Sequence, residues 1–325
     1  MKYIKLDGTD IKVSKLALGT DSMGEPMTEE TSREVLDSFT EAGGTLIDTA
    51  LSYNDWAPGE KSRSEKIIGR WLKTRGNRHD LIISTKGGHP PMGHMDISRL
   101  SEKEIMSDIE QSLSNLGTDY VDIYFLHRDN EDLPVAPIME TLDKLVKSGK
   151  TRSVGLSNWS PRRVKEAAEY CKSHKLAPIT SSQIQFGLAR PNIHLIDPTL
   201  SIMDRESYEF YKNENINVFA FSAQSKGYFS KLDTGATLSP KAAERYDNPQ
   251  SRKIFDLLKK ISIKYDCTVT EAVSAVLASI DDFNTIPILG LKNKTHTETS
   301  LMASDIEINN VDIENILNIS LIVHN

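Results

Sequence analysis

The sequence predicts an α/β chain folded as a (β/α)8 TIM barrel, with a β-hairpin ahead of the repeat and extra helices near the C-terminal end. Three observations carry this. Apolar runs of strand length recur eight times along the 325 residues. Amphipathic stretches at helical spacing fill most of the gaps between them. The runs themselves are almost continuously apolar, the pattern of parallel strands covered on both faces. A chain longer than about 250 residues is an ordinary size for one such barrel, and residues 1–325 are read as a single domain.

Met1 to Val13 alternates polar and apolar residues around Asp7-Gly8, a dipeptide favoured in tight hairpin turns. The apolar runs follow at Leu16–Leu18, Leu46–Ile47, Leu81–Ile83, Val121–Leu126, Val154–Leu156, Ser182–Phe186, Val218–Phe221 and Thr285–Leu289. Helical faces are marked by Val35, Phe39 and Ala42, then by Ile105, Ile109, Leu113 and Leu116, then by Ile138, Leu142 and Leu145. Helix starts are predicted at capping boxes Thr31/Glu34, Ser101/Glu104 and Thr268/Glu271, and at Ser160 followed by Pro161. Two stretches break the rhythm. Residues 224–248 are too long and polar for a simple connection, which marks a functional loop. Tyr265 to Ser279 adds a helix before the last strand. A helix near Glu298–Ala303, a short one around Ile313–Ile319 and a brief tail to Asn325 complete the chain.

Composition bounds the function. A net charge of −7, from 39 basic and 46 acidic residues, argues against a nucleic-acid partner but not against a local anion site. Cys171 and Cys267 are far apart and read as reduced thiols rather than a disulfide. The N-terminus lacks the apolar core of a signal peptide, and no stretch is long enough for a membrane span, so the cytoplasm is expected.

The chemistry concentrates where strands end, which in this architecture is where catalysis sits. Asp48 closes T-L-I-D, Tyr53 follows it, Lys86 closes L-I-I-S-T-K, and His127 closes V-D-I-Y-F-L-H. Each alone reads as an ordinary residue where a strand meets solvent. Together they form a coherent set. A phenol is a poor acid near neutrality. A neighbouring ammonium lowers its pKa, and a carboxylate would fix that ammonium in place. Tyr53 then becomes a general acid for a carbonyl oxygen, with His127 orienting the same oxygen. The set contains no hydride donor, no activated nucleophile and no metal cage, so the reductant must be a cofactor. Ser157, Asn158 and Gln183 offer amide-binding groups on the fifth and sixth strands. Phe221 and Ser222 pair a ring with a hydroxyl on the seventh, the polar Gln224–Gly227 loop follows, and Lys292 stands before a helix that could take a phosphate. Neither G-x-G-x-x-G nor a P-loop is present.

These pieces resemble the aldo-keto reductases along nearly the whole chain. The matching stretches are L-A-L-G-T at 16–20, I-D-T-A-L-S-Y at 47–53, E-K-I-I-G-R-W-L at 65–72 and S-T-K-G-G at 84–88. Y-F-L-H-R at 124–128, V-G-L-S-N-W at 154–159, Q-I-Q-F at 183–186 and F-A-F-S-A at 219–223 continue the series. The resemblance implies a barrel whose floor is closed by the hairpin, and NAD(P)H-dependent carbonyl reduction without metal or flavin. It implies Asp48, Tyr53, Lys86 and His127 as the catalytic tetrad. It implies a cofactor site of Gly19, Thr20, Asp48, Ser157, Asn158, Gln183, Phe221, Ser222, Gln224, Ser225, Lys292, His296 and Ser300. Phe221 stands where many relatives carry a stacking tyrosine. A second basic position reads His296 and an acid–asparagine pair reads Thr299-Ser300, so NADP(H) is expected with NAD(H) as the alternative.

A mouth lined by Trp56, His89, Arg128, Asp129 and Trp159 implies a small polar carbonyl substrate, sugar-derived among the candidates, and a short tail implies an open pocket. Two other readings compete. Channel-associated β-subunits share this fold, cofactor and tetrad and act as regulators, although no extended segment precedes the hairpin here. A glycosidase would need two opposed carboxylates, and a metal hydrolase clustered ligands. Oligomeric state is not legible.

Overall fold

The computed structural model describes residues 1–321, so the expected tail beyond the last helix lies outside the described residues. Strands β1 (Tyr3–Lys5) and β2 (Lys12–Ser14) pair antiparallel as the hairpin. Its turn is wider than a two-residue loop, because Leu6 N–H donates to Ile11 O across four intervening residues, with Gly8 at φ 74° inside it. Eight parallel strands then close a barrel: β3 (Ala17–Gly19), β4 (Leu46–Asp48), β5 (Ile82–Gly87), β6 (Val121–Leu126), β7 (Thr151–Ser157), β8 (Ile179–Gln185), β9 (Asn217–Phe221) and β10 (Thr285–Gly290). The strands run in chain order around the barrel and β10 returns to β3.

Helices α1 (Glu29–Glu41), α2 (Arg63–Arg75), α3 (Glu102–Leu116), α4 (Val135–Lys147), α5 (Pro161–His174) and α6 (Arg205–Glu214) follow successive strands. Thr28, not Thr31, caps α1: its hydroxyl accepts from Thr31 N–H, one turn earlier than expected. Both other capping boxes form, at Ser101/Glu104 and Thr268/Glu271. Ser160 precedes Pro161 at the start of α5 as predicted, but its hydroxyl bonds Glu131 instead of the helix backbone.

The predicted functional loop after β9 is mostly helical. It folds into α7 (Tyr228–Thr234) and α8 (Pro240–Tyr246) because Tyr228, Phe229 and Tyr246 give these short polar segments buried anchors. A long helix, α9 (Pro249–Lys264), precedes the expected extra helix α10 (Val269–Ala278). After β10 come α11 (Lys294–Leu301) and α12 (Asn310–Ser320).

Strand alternation sorts the core into two layers. Inside the barrel, Ala17, Leu46, Ile123, Phe125, Phe219, Ile286 and Ile288 meet Leu6, Ile11 and Val13 of the hairpin region. The hairpin thus plugs the end where the strands begin. Asn217 secures the plug by accepting from Asp7 N–H at 2.9 Å and donating to Thr180 O at 2.6 Å. Outward-facing residues such as Leu18, Ile47, Ile83, Tyr124 and Leu126 pack against the helices. With one end filled by apolar side chains, the polar groups at the strand ends lie at the opposite end of the barrel.

Helix α2 lies close to the end of α3 at Gly69, where a Cβ would meet the Asn115 carbonyl oxygen and Leu116 backbone atoms. Backbone cannot yield as a side chain can. Gly69→Ala is expected to cost about 1–3 kcal/mol through overpacking, read as a lower urea midpoint. An unchanged midpoint would mean that the two helices part freely.

Candidate active site

The C-terminal strand ends open into a cavity of about 830 Å³, the size of a small-molecule or cofactor site. Asp48 ends β4, Lys86 is the penultimate residue of β5, and His127 follows β6 directly. Register brings them together: Asp48 pairs with Ser84, and Ser84 and Lys86 share the inner face of β5 two residues apart. Lys86 is completely buried, behind the cavity wall. Its three ammonium protons are all engaged, with Asp48 Oδ2 at 2.7 Å, Thr49 O at 2.7 Å and Tyr53 Oη at 2.9 Å. Asp48 Oδ1 accepts from Ser84 Oγ at 2.7 Å and Gln183 Nε2 at 2.9 Å.

The Tyr53 oxygen is therefore an acceptor toward Lys86, and no hydrogen bond within the described residues uses its own proton. Tyr53 lines the cavity, with the His127 ring edge-on at 5.9 Å and the Trp56 ring at 6.5 Å. His89 stands edge-on to His127 at 4.8 Å, and Ser52 Oγ lies 3.3 Å from His127 Nδ1. A backbone carbonyl only accepts, so His89 Nδ1 carries the hydrogen that reaches Pro90 O at 2.6 Å.

Burial dominates the proton chemistry. It pushes the Tyr53 phenol well above its usual range, and the charges of Asp48 and Asp21 add to the rise while Arg128 opposes it. The lowering expected from Lys86 is not found, and the phenol keeps its proton. Burial also drives His127 far below the usual imidazole range, helped by Arg128, Lys86 and His89, so His127 is neutral at physiological pH. It lowers His89 similarly, and it lowers Lys86 against the opposing pull of Asp48.

The cavity wall contains Gly19, Thr20, Asp48, Tyr53, Trp56, His89, His127, Arg128, Ser157, Asn158, Gln183, Phe221, Ser222, Gln224, Lys292 and His296, all predicted from sequence. Gln183 has committed its amide N–H to Asp48, which leaves its carbonyl oxygen to receive a donor. Asn158 takes a left-handed conformation at φ 61°, tolerable for asparagine. Its amide donates to Ser157 Oγ and to His127 O.

Several expected residues sit elsewhere. Trp159 does not line the mouth: it is fully buried, its indole N–H reaches Arg128 O at 3.3 Å and the Arg163 guanidinium covers its ring. Asp129 is likewise withdrawn, held by Arg163 at 3.0 Å. Ser225 and Ser300 are buried behind the wall.

Sequence reasoning missed Asp21, Ser22, Ser52, Lys226, Lys231 and Arg245, which also line the cavity. Ser52 adjoins Tyr53 and was within reach of the motif. Lys226, Lys231 and Arg245 come from the segment read as loop, whose helical turns aim them inward.

A nucleotide cofactor fits this cavity on the structure's own terms. On the cavity wall, Gln224 Nε2 and His296 Nδ1 are buried polar atoms without a hydrogen-bond partner among the described residues. His296 stands one turn into α11, which Asn293 caps by accepting from His296 N–H at 2.8 Å, and Lys292 lines the same wall. Buried unpaired polar atoms are costly, and a polar ligand satisfies them. Among the described residues no cluster of three His, Cys, Asp or Glu side chains could hold a metal ion, and no helix is long and apolar enough to cross a membrane.

A closed eight-stranded barrel with a phenol, an ammonium, a carboxylate and an imidazole at its mouth defines a class of barrel oxidoreductases. Residues 15–320 match the model of the Aldo/keto reductase family, and the chain belongs to that family. It is 26% identical over 323 residues to an aryl-alcohol dehydrogenase, GME11368, of Pestalotiopsis microspora, covering 94% of this chain and 78% of that protein. It is 26% identical over 315 residues to the aldo-keto reductase yakc [NADP(+)] of Schizosaccharomyces pombe, covering 92% and 85%. Norsolorinic acid reductase stcV of Emericella nidulans is 35% identical over a shorter stretch, 51% of this chain and 45% of that protein.

Removing Lys86 alone leaves Asp48 buried and charged without its counterion. Lys86→Met is expected to lose about 3–5 kcal/mol of stability, and the double variant Asp48→Asn/Lys86→Met to regain most of it in parallel urea titrations. Equal midpoints for Lys86→Met and wild type would show that the pair contributes nothing to folding.

Proposed function

We propose that the protein is an NADP(H)-dependent reductase of small aldehydes or ketones, with Tyr53 as proton donor and residues 1–325 acting as one barrel unit. One observation carries the reading: Lys86 donates to the Tyr53 oxygen while the Tyr53 proton is left free at the cavity wall. The hydride for the carbonyl carbon would come from a reduced nicotinamide held in this cavity. Gln183 O and Ser157 Oγ would hold its carboxamide, Thr20 and Asp48 would stand near its ribose, and Phe221 would stack on the ring. Ser222, Gln224 and Ser225 would approach the pyrophosphate, with Lys292 and His296 at the 2′-phosphate. A carbonyl oxygen placed between Tyr53 and His127 meets two groups able to hydrogen-bond it. As negative charge develops there, Tyr53 releases its proton to that oxygen, and the phenolate left behind faces the Lys86 ammonium. Asp48 keeps that ammonium in place throughout.

Sugar-derived aldehydes belong to the candidate substrates because the mouth carries His89, Arg128 and Trp56. The reduced thiols Cys171 and Cys267 fit a cytoplasmic setting.

The test follows NADPH and NADH oxidation with a panel of small aldehydes, ketones and sugar aldehydes. Tyr53→Phe should lose about 10²-fold or more in turnover with NADPH binding, read by fluorescence, nearly unchanged. Equal loss of binding and turnover would remove Tyr53 from the donor role. Tight cofactor binding without turnover of any carbonyl by the wild type would favour a regulatory, channel β-subunit type of function.

A further inference from the structure

Arg128 is an unusual arginine in this molecule. It lines the cavity immediately after His127, and its guanidinium is largely withdrawn from water. Its hydrogen bonds are modest: Nη1 to His127 O at 2.8 Å and Nε to Thr199 Oγ1 at 3.3 Å. No carboxylate of the described residues comes within 4.0 Å of it. Other shielded arginines are neutralised. Arg163 meets Asp129 at 3.0 Å, Arg78 meets Asp122 at 2.9 Å, and Arg99 is paired with Asp108. A guanidinium stays charged at any physiological pH, and a shielded charge without a counterion is costly. Nη2 and the second Nη1 proton of Arg128 have no partner among the described residues, and Arg128 lines the cavity.

The surrounding charge agrees. The protein is acidic, at −7. Yet its cavity wall holds Arg128, Lys226, Lys231, Arg245 and Lys292 against only Asp21 and Asp48, and Asp48 is consumed by Lys86. Lys292 belongs to the segment proposed above to hold the cofactor, and Lys226, Lys231 and Arg245 come from α7, α8 and the turn before them. Arg128 lies instead beside His127, within electrostatic reach of Tyr53. Asp21 is exposed at the rim, and Asp197, also exposed, reaches Arg128 only through Thr199, whose hydroxyl accepts from Arg128 Nε and donates to Asp197 Oδ1 at 2.8 Å. Neither neutralises Arg128 by contact.

We infer that the substrate is a short carbonyl compound bearing an anionic group, a carboxylate or a phosphate, which Arg128 receives while the carbonyl oxygen sits at Tyr53 and His127. This rests on the reductase reading above and narrows it. Arginine recognises both oxyanions through paired N–H donors. The anion would complete the ion pair that the fold leaves open, and it would fix which end of the substrate faces Tyr53. Trp56, half exposed at the mouth, and Met92 would cover the short apolar portion.

The experiment compares matched probes with wild type and Arg128→Gln in the presence of NADPH. One pair is 4-oxobutanoate and its methyl ester; the other is glyceraldehyde 3-phosphate and glyceraldehyde. Wild type should favour the charged member of at least one pair by about tenfold or more in kcat/KM, close to 1.4 kcal/mol, and the preferred pair tells carboxylate from phosphate. In Arg128→Gln that ratio should fall toward one. No preference in wild type would overturn the inference while leaving the reductase reading intact, and a preference that survives in Arg128→Gln would remove Arg128 from it. Binding is read separately, by calorimetry of the NADP⁺-loaded protein with succinate and inorganic phosphate. Binding of either that is lost in Arg128→Gln supports the anion site even if no probe is turned over, in which case the reductase reading alone fails. Where no probe is turned over, binding of neither sinks the inference.

Discussion

A carboxylate and an ammonium removed from water at the end of the barrel are the constraint on which the rest of the site depends. Burying either charge alone is costly, and a buried pair is tolerable only when its remaining donors and acceptors are satisfied. Here they are satisfied completely. Lys86 spends three protons on Asp48, Thr49 and Tyr53, and Asp48 receives Ser84 and Gln183 on its second oxygen. Three strands, β4, β5 and β8, and the loop after β4 contribute to this knot. Thr20 tightens it by donating both its N–H and its hydroxyl to the Asp48 carbonyl oxygen. The position of the phenol is a consequence of this arrangement, since its oxygen is held by an ammonium that has no freedom left.

The same burial that makes the pair costly sorts the protonation states. Loss of water disfavours every charged form. It leaves Tyr53 protonated and His127 neutral, with Lys86 countered by Asp48. The phenol proton has no acceptor among the described residues. Beneath the site, the hairpin fills the end of the barrel where the strands begin. A second buried acid, Glu65, stands behind β5, receiving Thr85 Oγ1 at 2.6 Å and Asn115 Nδ2 at 2.9 Å. Burial raises its pKa, and it ties α2 and α3 to the strand that carries Lys86.

The barrel and the four mouth residues were legible because their signals are local. Near-continuous apolar runs ending at Asp48, Lys86 and His127 place those residues at strand ends without knowledge of the fold. Capping boxes at Ser101 and Thr268 are likewise complete within four residues. What was not legible depends on contacts distant in sequence. Trp159 reads as a mouth residue by its place after β7, yet Arg163 and the Arg128 carbonyl draw it inside. Residues 224–248 read as loop by polarity, yet three aromatic anchors pull them into helices. Helix α9 escapes notice for a related reason, since its buried stripe is thin: Ile254, Leu258 and Ile261. Tyr53 shows the limit in chemistry. Its neighbours were readable, but the balance between Lys86 and burial is set by depth, which no motif records.

The pH dependence of kcat/KM for carbonyl reduction tests the account most directly, because it identifies the group that gives the proton. A phenol held above its usual range is protonated, and an imidazole held below its range is neutral, throughout the neutral region. Reduction should therefore stay level from about pH 6 to 9 and decline only on the alkaline side, as the phenol ionises above its ordinary value near 10. A rate that climbs on acidification through about pH 6–7, the ordinary imidazole range, would make protonated His127 the donor and contradict the account.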